Sequence, residues 1–283
     1  MTFSIVGFDP ETKELGIAVQ SKFLGVGAVV PWAKAGVGAI ATQAHANTSF
    51  GPDGLELLIS GKSAAETLEI LLKGDGEREA RQIGIVDGNG QSATFTGKNC
   101  YEWAGGMAGK NFAAQGNILV SEKTVQALAK TFEQAEGSLA ERLLKALDAG
   151  QEAGGDSRGK QSAALLVVKE NGGYGGYNDR FTDLRVDDHP EPIKELIRIY
   201  HLQQLYFSKT QPENVLSVSG EVKNEVLSQL KRLGYFTDGS DEALLDALTI
   251  YLHTENFEER EQERGKIDRE VLEYMKQQNS KKL

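Results

Sequence analysis

The distribution of glycine constrains this chain more than any other feature. Of its 32 glycines, 28 precede Pro190, and only Gly220, Gly234, Gly239 and Gly265 follow it. Glycine supplies the positive φ of tight turns and lets backbones approach closely. A stretch this rich in it reads as short strands joined by turns, not as long helices. The chain then stiffens at His189-Pro190-Glu191-Pro192, where two prolines disfavour a continuing element. The expected division is a domain over residues 1–190 and a second module over residues 191–283.

Turn chemistry locates the strands of the first part. Asp9-Pro10-Glu11 separates Thr2–Phe8 from Leu15–Ser21, so the chain opens with a hairpin. Val26–Trp32 and Gly36–Gln43 read as two further extended pieces. Asp87-Gly88-Asn89-Gly90 is a hairpin signal between Gln82–Val86 and Gln91–Thr96. Phe112–Val120 is another apolar strand, and Asn171-Gly172-Gly173 joins Ser162–Val168 to Phe181–Val186. Apolar spacing of three and four predicts helices over Leu55–Ile59, Ala64–Leu72, Glu122–Ala135 and Leu139–Ala149, with Ser63 as a cap. Hairpins make antiparallel sheets, and the segregated order gives an α+β domain with helices on the outer faces of packed sheets. Beyond Pro190, helices are expected over Ile193–Phe207, Glu221–Leu233 (closed by Gly234), Asp241–Leu252 and Glu258–Gln278, a small all-α module.

Charge and cysteine content exclude several function classes. The net charge is −10, shared as −6 over residues 1–190 and −4 over residues 191–283, with no basic block. Nucleic acid and anionic membrane are therefore not expected partners. The lone Cys100 excludes an internal disulfide and a cysteine-based metal site, which fits a reducing cytoplasm. Apolar runs are too short to span a bilayer, and the first ten residues do not read as a secretory signal. No phosphate loop, zinc-protease motif or nucleophile elbow is present, and no cofactor or metal is expected. His45, His189, His201 and His253 are isolated from one another in sequence.

Thr2 is the residue that carries chemistry. An N-terminal threonine, exposed by loss of Met1, holds a nucleophilic hydroxyl and a basic α-amine in one residue. On position alone it reads as simply the first residue of a strand. Lys34 stands in an apolar stretch where a cation would activate such a threonine, or else snorkels from a strand edge. Gln115-Gly116-Asn117 places an amide in an apolar strand. There Asn117 or a neighbouring N–H can hold an oxyanion, and a β-bulge is the alternative. Residues 154–162 (GGDSRGKQS) form a dense polar loop entering a core strand, in which Asp156 and Arg158 could instead simply pair.

These segments resemble the DUF1028 family. The resemblance rests on MTFSIVGFDP, AVQSKFLGVGAVVPWAKAGVGAIATQ, QGNIL, AGGDSRGKQSAALLVV and GGYGGYNDR…DLRVDDHP. It implies a four-layer αββα sandwich of the N-terminal nucleophile (Ntn) hydrolase type. It also implies Thr2 as nucleophile, Lys34 as the matching lysine, and Ser21 with Lys22 as supporting polar residues. Asn117 and Asp156 complete the implied catalytic set. The candidate substrate-binding residues are Lys22, Gln43, Asn47, Arg158, Gln161 and Ser162. The tail, through VSGE, LGYF and Ala243–Tyr251, is similar to a peptidoglycan-binding module. The expected function is a cytosolic amidohydrolase of a small amide or peptide, working as a homodimer or higher oligomer. The alternative is a non-catalytic binding protein whose helical module takes a glycan or protein partner.

Overall fold

The computed structural model describes residues 2–279. By packing they form two units, one up to Arg198 and one from Ile199 onward.

The first unit opens with the hairpin β1 (Thr2–Phe8) and β2 (Leu15–Ser21). It continues through β3 (Pro31–Lys34), β4 (Gly38–Ala44), helices α1 (Phe50–Ile59) and α2 (Ala64–Lys73), β5 (Arg81–Asp87) and β6 (Ser92–Thr96). Then come β7 (Gly105–Gly109), β8 (Phe112–Asn117), α3 (Lys123–Gln134), α4 (Leu139–Glu152), β9 (Ser162–Val168) and β10 (Arg180–Val186). Two antiparallel sheets result, one ordered β10-β9-β2-β1-β8-β7 and the other β3-β4-β5-β6.

Strand alternation decides the layers. On β1 and β2, Val6, Phe8, Leu15, Ile17 and Val19 face the second sheet and pack on Ala39, Ala41 and Val86. On the opposite face Gly7 lies against Phe132 of α3 and Leu139 of α4, and Gly16 against Leu143. The second sheet turns Ile40, Ile83 and Ile85 outward onto Phe50, Leu58, Leu68 and Leu71 of α1 and α2. The order is helix, sheet, sheet, helix, as the resemblance implies. Ser63 caps α2 with a full capping box to Glu66, a local start signal read correctly from sequence.

Three elements differ from expectation. Val26–Trp32 is not one extended piece: residues Val26–Ala28 form a 3-10 turn after Gly25 at φ 64°. The Ser162 hydroxyl pins that turn by accepting from the Val26 N–H at 3.1 Å. β7 has a Gly-Gly-Met-Ala-Gly sequence without the β-branched signal of a strand, and it exists because it pairs with β8. β8 stops at Asn117 because Ile118 turns into the left-handed region at φ 51°.

The second unit contains the end of α5 (Pro192–Phe207), then α6 (Gly220–Arg232), α7 (Asp241–Thr254) and α8 (Arg269–Gln277). To these helices a short antiparallel ribbon is added, β11 (Val215–Ser217) with β12 (Lys266–Asp268). Glu258–Gln278 is therefore not one helix. Gly265 at φ 87° breaks it, and Ile267 enters the core of Leu230, Leu248, Tyr251, Phe257 and Met275 as part of a strand. The Arg260 guanidinium, 3% exposed, pairs with Asp268 at 2.9 Å. Among the described residues no helix is long and apolar enough to cross a membrane.

Glycine at position 51 is a packing requirement. A Cβ there would lie 2.1 Å from Cδ2 of Trp32. Alanine in a helix normally gains about 0.5–1 kcal/mol over glycine, but overpacking a fixed indole costs about 1–3 kcal/mol. Gly51→Ala is thus expected to lower the urea midpoint. Gly74→Ala, whose Cβ meets nothing nearer than 3.8 Å, is expected to hold or raise it.

Candidate active site

The end of the sandwich where β1 begins is polar, and it is built around Thr2. Thr2 is 6% exposed, pairs with Asn117 on β8, and lies at the open end of the β1–β2 hairpin, next to the Phe3–Gln20 pair. Its hydroxyl lies 3.1 Å from that of Ser21. Its carbonyl accepts from Gln43 Nε2 at 3.2 Å and from Asn117 Nδ2 at 3.5 Å. Both amides also donate to Gln82 Oε1, at 2.8 and 2.9 Å. Gln82 Nε2 in turn donates to the Gly116 carbonyl at 2.7 Å. Behind them Gln115 Nε2 donates to Ser4 Oγ at 2.7 Å, and Ser4 donates to Gln43 Oε1 at 2.6 Å.

All of these side chains lie between the sheets and are buried. In a low-dielectric interior such a network holds its members rigidly, because each lost partner leaves an amide unpaired. Gly84 makes the room: a Cβ there would lie 2.1 Å from Gln115 Oε1.

Next to this network opens a cavity of about 520 Å³, lined by Ala44, His45, Ala80, Asn99, Cys100, Tyr101, Asn117, Ile118 and Arg158. Two of its wall residues, Ala44 at φ 66° and Ile118 at φ 51°, hold left-handed backbone that carries no glycine. For a β-branched residue this is a strained conformation, of the kind that clusters at functional sites. Burial pushes the Cys100 thiol above its usual range. Arg81, with its side chain 9% exposed, donates to Asp75 at 2.6 Å, to Glu77 at 2.9 Å and to the His45 carbonyl at 2.7 Å, and so fixes the turn that carries His45. Hydrogen bonding to Asp75 is the main reason this guanidinium is held still more firmly protonated.

The structure brings together Thr2, Ser21, Gln43, Asn117 and Arg158, and separates others. Lys34 is a correction. It is exposed at the end of β3 and pairs with Gly38, while Gln43, which touches Thr2, lies five residues further along β4. At strand rise that is roughly 16 Å. Lys34 lines a different cleft, with Val168, Asn178 and Arg180.

Asn117 is not an oxyanion donor either. Its amide is spent on Thr2 and Gln82, and the neighbouring N–H groups of Ile118 and Leu119 donate to the carbonyls of Tyr101 and Trp103. Asp156 is a loop organiser. Its buried carboxylate accepts from the Lys22 and Arg158 N–H groups, both at 2.9 Å, and lies 3.5 Å from the Arg158 guanidinium. Lys22 thus contributes its backbone, and its Nζ reaches the Lys160 carbonyl at 3.5 Å.

Ser162 holds the 23–26 loop through Val26 and the Phe23 carbonyl. Gln161 ties to Asp188 and His189. Asn47 caps its own loop through the Ser49 N–H and lines a groove with Phe50 and Asp75. Sequence reasoning missed Gln82, Arg81 and His45. Gln82 was legible only as a polar interruption of an apolar strand. Among the described residues no group of three or more His, Cys, Asp and Glu is placed to hold a metal ion.

Fold and site together define a four-layer αββα protein with a threonine clamped at the buried start of its first central strand. Residues 2–196 match the model described as "Family of unknown function (DUF1028)", and the chain belongs to that family. A solved DUF1028 protein of Silicibacter pomeroyi is 31% identical with a TM-score of 0.66, over 72% of this chain and 86% of that one. Residues 206–275 match a model described as "Putative peptidoglycan binding domain". Weaker likenesses join it to two Anbu structures. That of a Gly-1 mutant from Hyphomicrobium sp. strain MC1 has a TM-score of 0.35 and 10% identity, over 75% of this chain and 99% of that one. That from Yersinia bercovieri has a TM-score of 0.33 and 9% identity, over 71% and 94%. The comparison with curated proteins gives no match.

Gln82 is the acceptor that joins the two amides on Thr2. Gln82→Met keeps the volume but leaves both donors short of a partner, at about 1–3 kcal/mol for such a loss. Urea unfolding is expected to show a destabilisation of about 2 kcal/mol. An unchanged midpoint would mean that the network does not hold the two sheets.

Proposed function

We propose that this chain is an amide hydrolase whose nucleophile is Thr2, acting on a small amide or peptide after the Met1–Thr2 bond has been cut. Met1 lies outside the described residues. The observation that carries the reading is the clamp. The Thr2 carbonyl is held by two buried amides, and its hydroxyl meets Ser21 at 3.1 Å, beside a cavity of substrate size.

In the proposed reaction Thr2 Oγ attacks the substrate carbonyl carbon, and its proton passes to the freed α-amine. The C–N bond then breaks, and the leaving amine takes that proton. Water, deprotonated by the same α-amine, hydrolyses the acyl-threonine ester and returns the hydroxyl. With Lys34 at the other end of the sandwich, the α-amine and the Ser21 hydroxyl supply the activation that a lysine would otherwise share.

A second reading, a binding protein on the same scaffold, is favoured by one observation: Lys34, the lysine expected at Thr2, is remote from it. One experiment separates the two. Intact mass of the purified protein is expected to show loss of Met1. Thr2→Ala is expected to lower amide hydrolysis roughly 1000-fold or more, while Thr2→Ser keeps measurable turnover. Retained Met1, or a Thr2→Ala protein with full activity, contradicts the hydrolase reading.

A further inference from the structure

The cavity beside the Thr2 clamp carries Arg158 and His45 in its wall, and this bears on what it takes. Arg158, its side chain 46% exposed, is the charged group of the wall, and a guanidinium offers donors only. His45 is the second donor. Its Nδ1 lies 3.1 Å from Arg81 Nη1. A guanidinium has no lone pair to give, so Nδ1 must accept and the ring proton must sit on Nε2. The alternative proton on Nδ1 would point at a cation and would reach Glu77 only at 3.6 Å. Two of the nearby carboxylates are turned to other work. Asp75 and Glu77 hold Arg81. Asp156, with no side-chain exposure, accepts from two backbone N–H groups and lies 3.5 Å from one nitrogen of the Arg158 guanidinium. No aspartate or glutamate is among the described residues of the wall.

We infer that the substrate of this site is an amide carrying a free carboxylate close to the scissile bond, held by Arg158 with the Nε2–H of His45 as a second donor. The inference rests on the hydrolase reading for the word substrate, and on the wall alone for the carboxylate. It runs against the overall charge of −10, because recognition is decided by the groups that touch the ligand. A guanidinium matches a carboxylate with two parallel hydrogen bonds, which a neutral ester cannot accept as well.

The carboxylate can sit on the acyl side or on the amine side of the bond, and two probes distinguish these. Succinanilate carries it on the acyl side and 4-acetamidobenzoate on the amine side, each compared with its methyl ester. In the full chain with Met1 removed, one acid is expected to be cleaved at least roughly 10-fold faster, in kcat/KM, than its ester. Arg158→Gln is expected to collapse that ratio toward one, and Arg158→Lys to leave part of it. Circular dichroism checks that each variant is folded.

An ester cleaved as well as its acid overturns the inference, and so does a folded Arg158→Gln protein with the ratio intact. If no amide is cleaved, the hydrolase reading fails on its own, and calorimetry on the Thr2→Ala protein decides the carboxylate. Acid bound at least 10-fold more tightly than ester, and lost with Arg158→Gln, upholds it as the ligand class. Equal binding, or none, overturns it.

Discussion

The first unit depends on one buried interaction, the pair of amide N–H groups that Gln43 and Asn117 place on the Thr2 carbonyl. These side chains come from different sheets, and both also donate to Gln82. The sandwich is therefore apolar along most of its seam and polar at the end where the chain begins. Apolar contacts set how far apart the sheets lie but are tolerant of sliding. A closed set of amide bonds is not, since a shift of one residue would strand several buried donors. Strand β1 thus enters the sandwich in one register, and its first residue is held in one orientation.

The same rigidity explains the strained backbone beside it. Ala44 follows Gln43 directly and Ile118 follows Asn117 directly, and both take left-handed φ. Asn117 is the last residue of β8, and Gln43 is the last before the left-handed Ala44 that ends β4, so the chain turns away at both and leaves the cavity open. Arg81 fixes the first turn through the His45 carbonyl. The Ser157 N–H and the Tyr101 carbonyl fix the second. The wall that would touch a ligand is held by groups one step behind it, which is how a preorganised site is made.

Much of this was legible in the sequence, and the rest failed for physical reasons. Hairpins announced by Asp9-Pro10 and Asp87-Gly88-Asn89-Gly90 formed where turn chemistry placed them, as did the Ser63 cap. Thr2, Ser21 and Asn117 came together because they lie at matching ends of paired strands. Lys34 did not, because separation along the chain says nothing about which end of a sheet a residue reaches. The 3-10 turn at Val26–Ala28 and the short β3 carry it to the opposite end. Asp156 was recognised as special, but its carboxylate turned inward to backbone N–H groups. His45 gave no signal, since its role comes from Arg81, 36 residues away. The beginning of β12 was hidden inside a charged stretch of helical composition, and only its pairing with β11 makes it a strand.

The proposed nucleophile, Thr2 held by this clamp, is open to covalent trapping. The native protein is treated with an acylating β-lactone, digested, and mapped by mass spectrometry. One added acyl group is expected, located on Thr2 and absent from the Thr2→Ala protein. Acylation at another residue, or none on a protein whose mass shows a free Thr2, would contradict it.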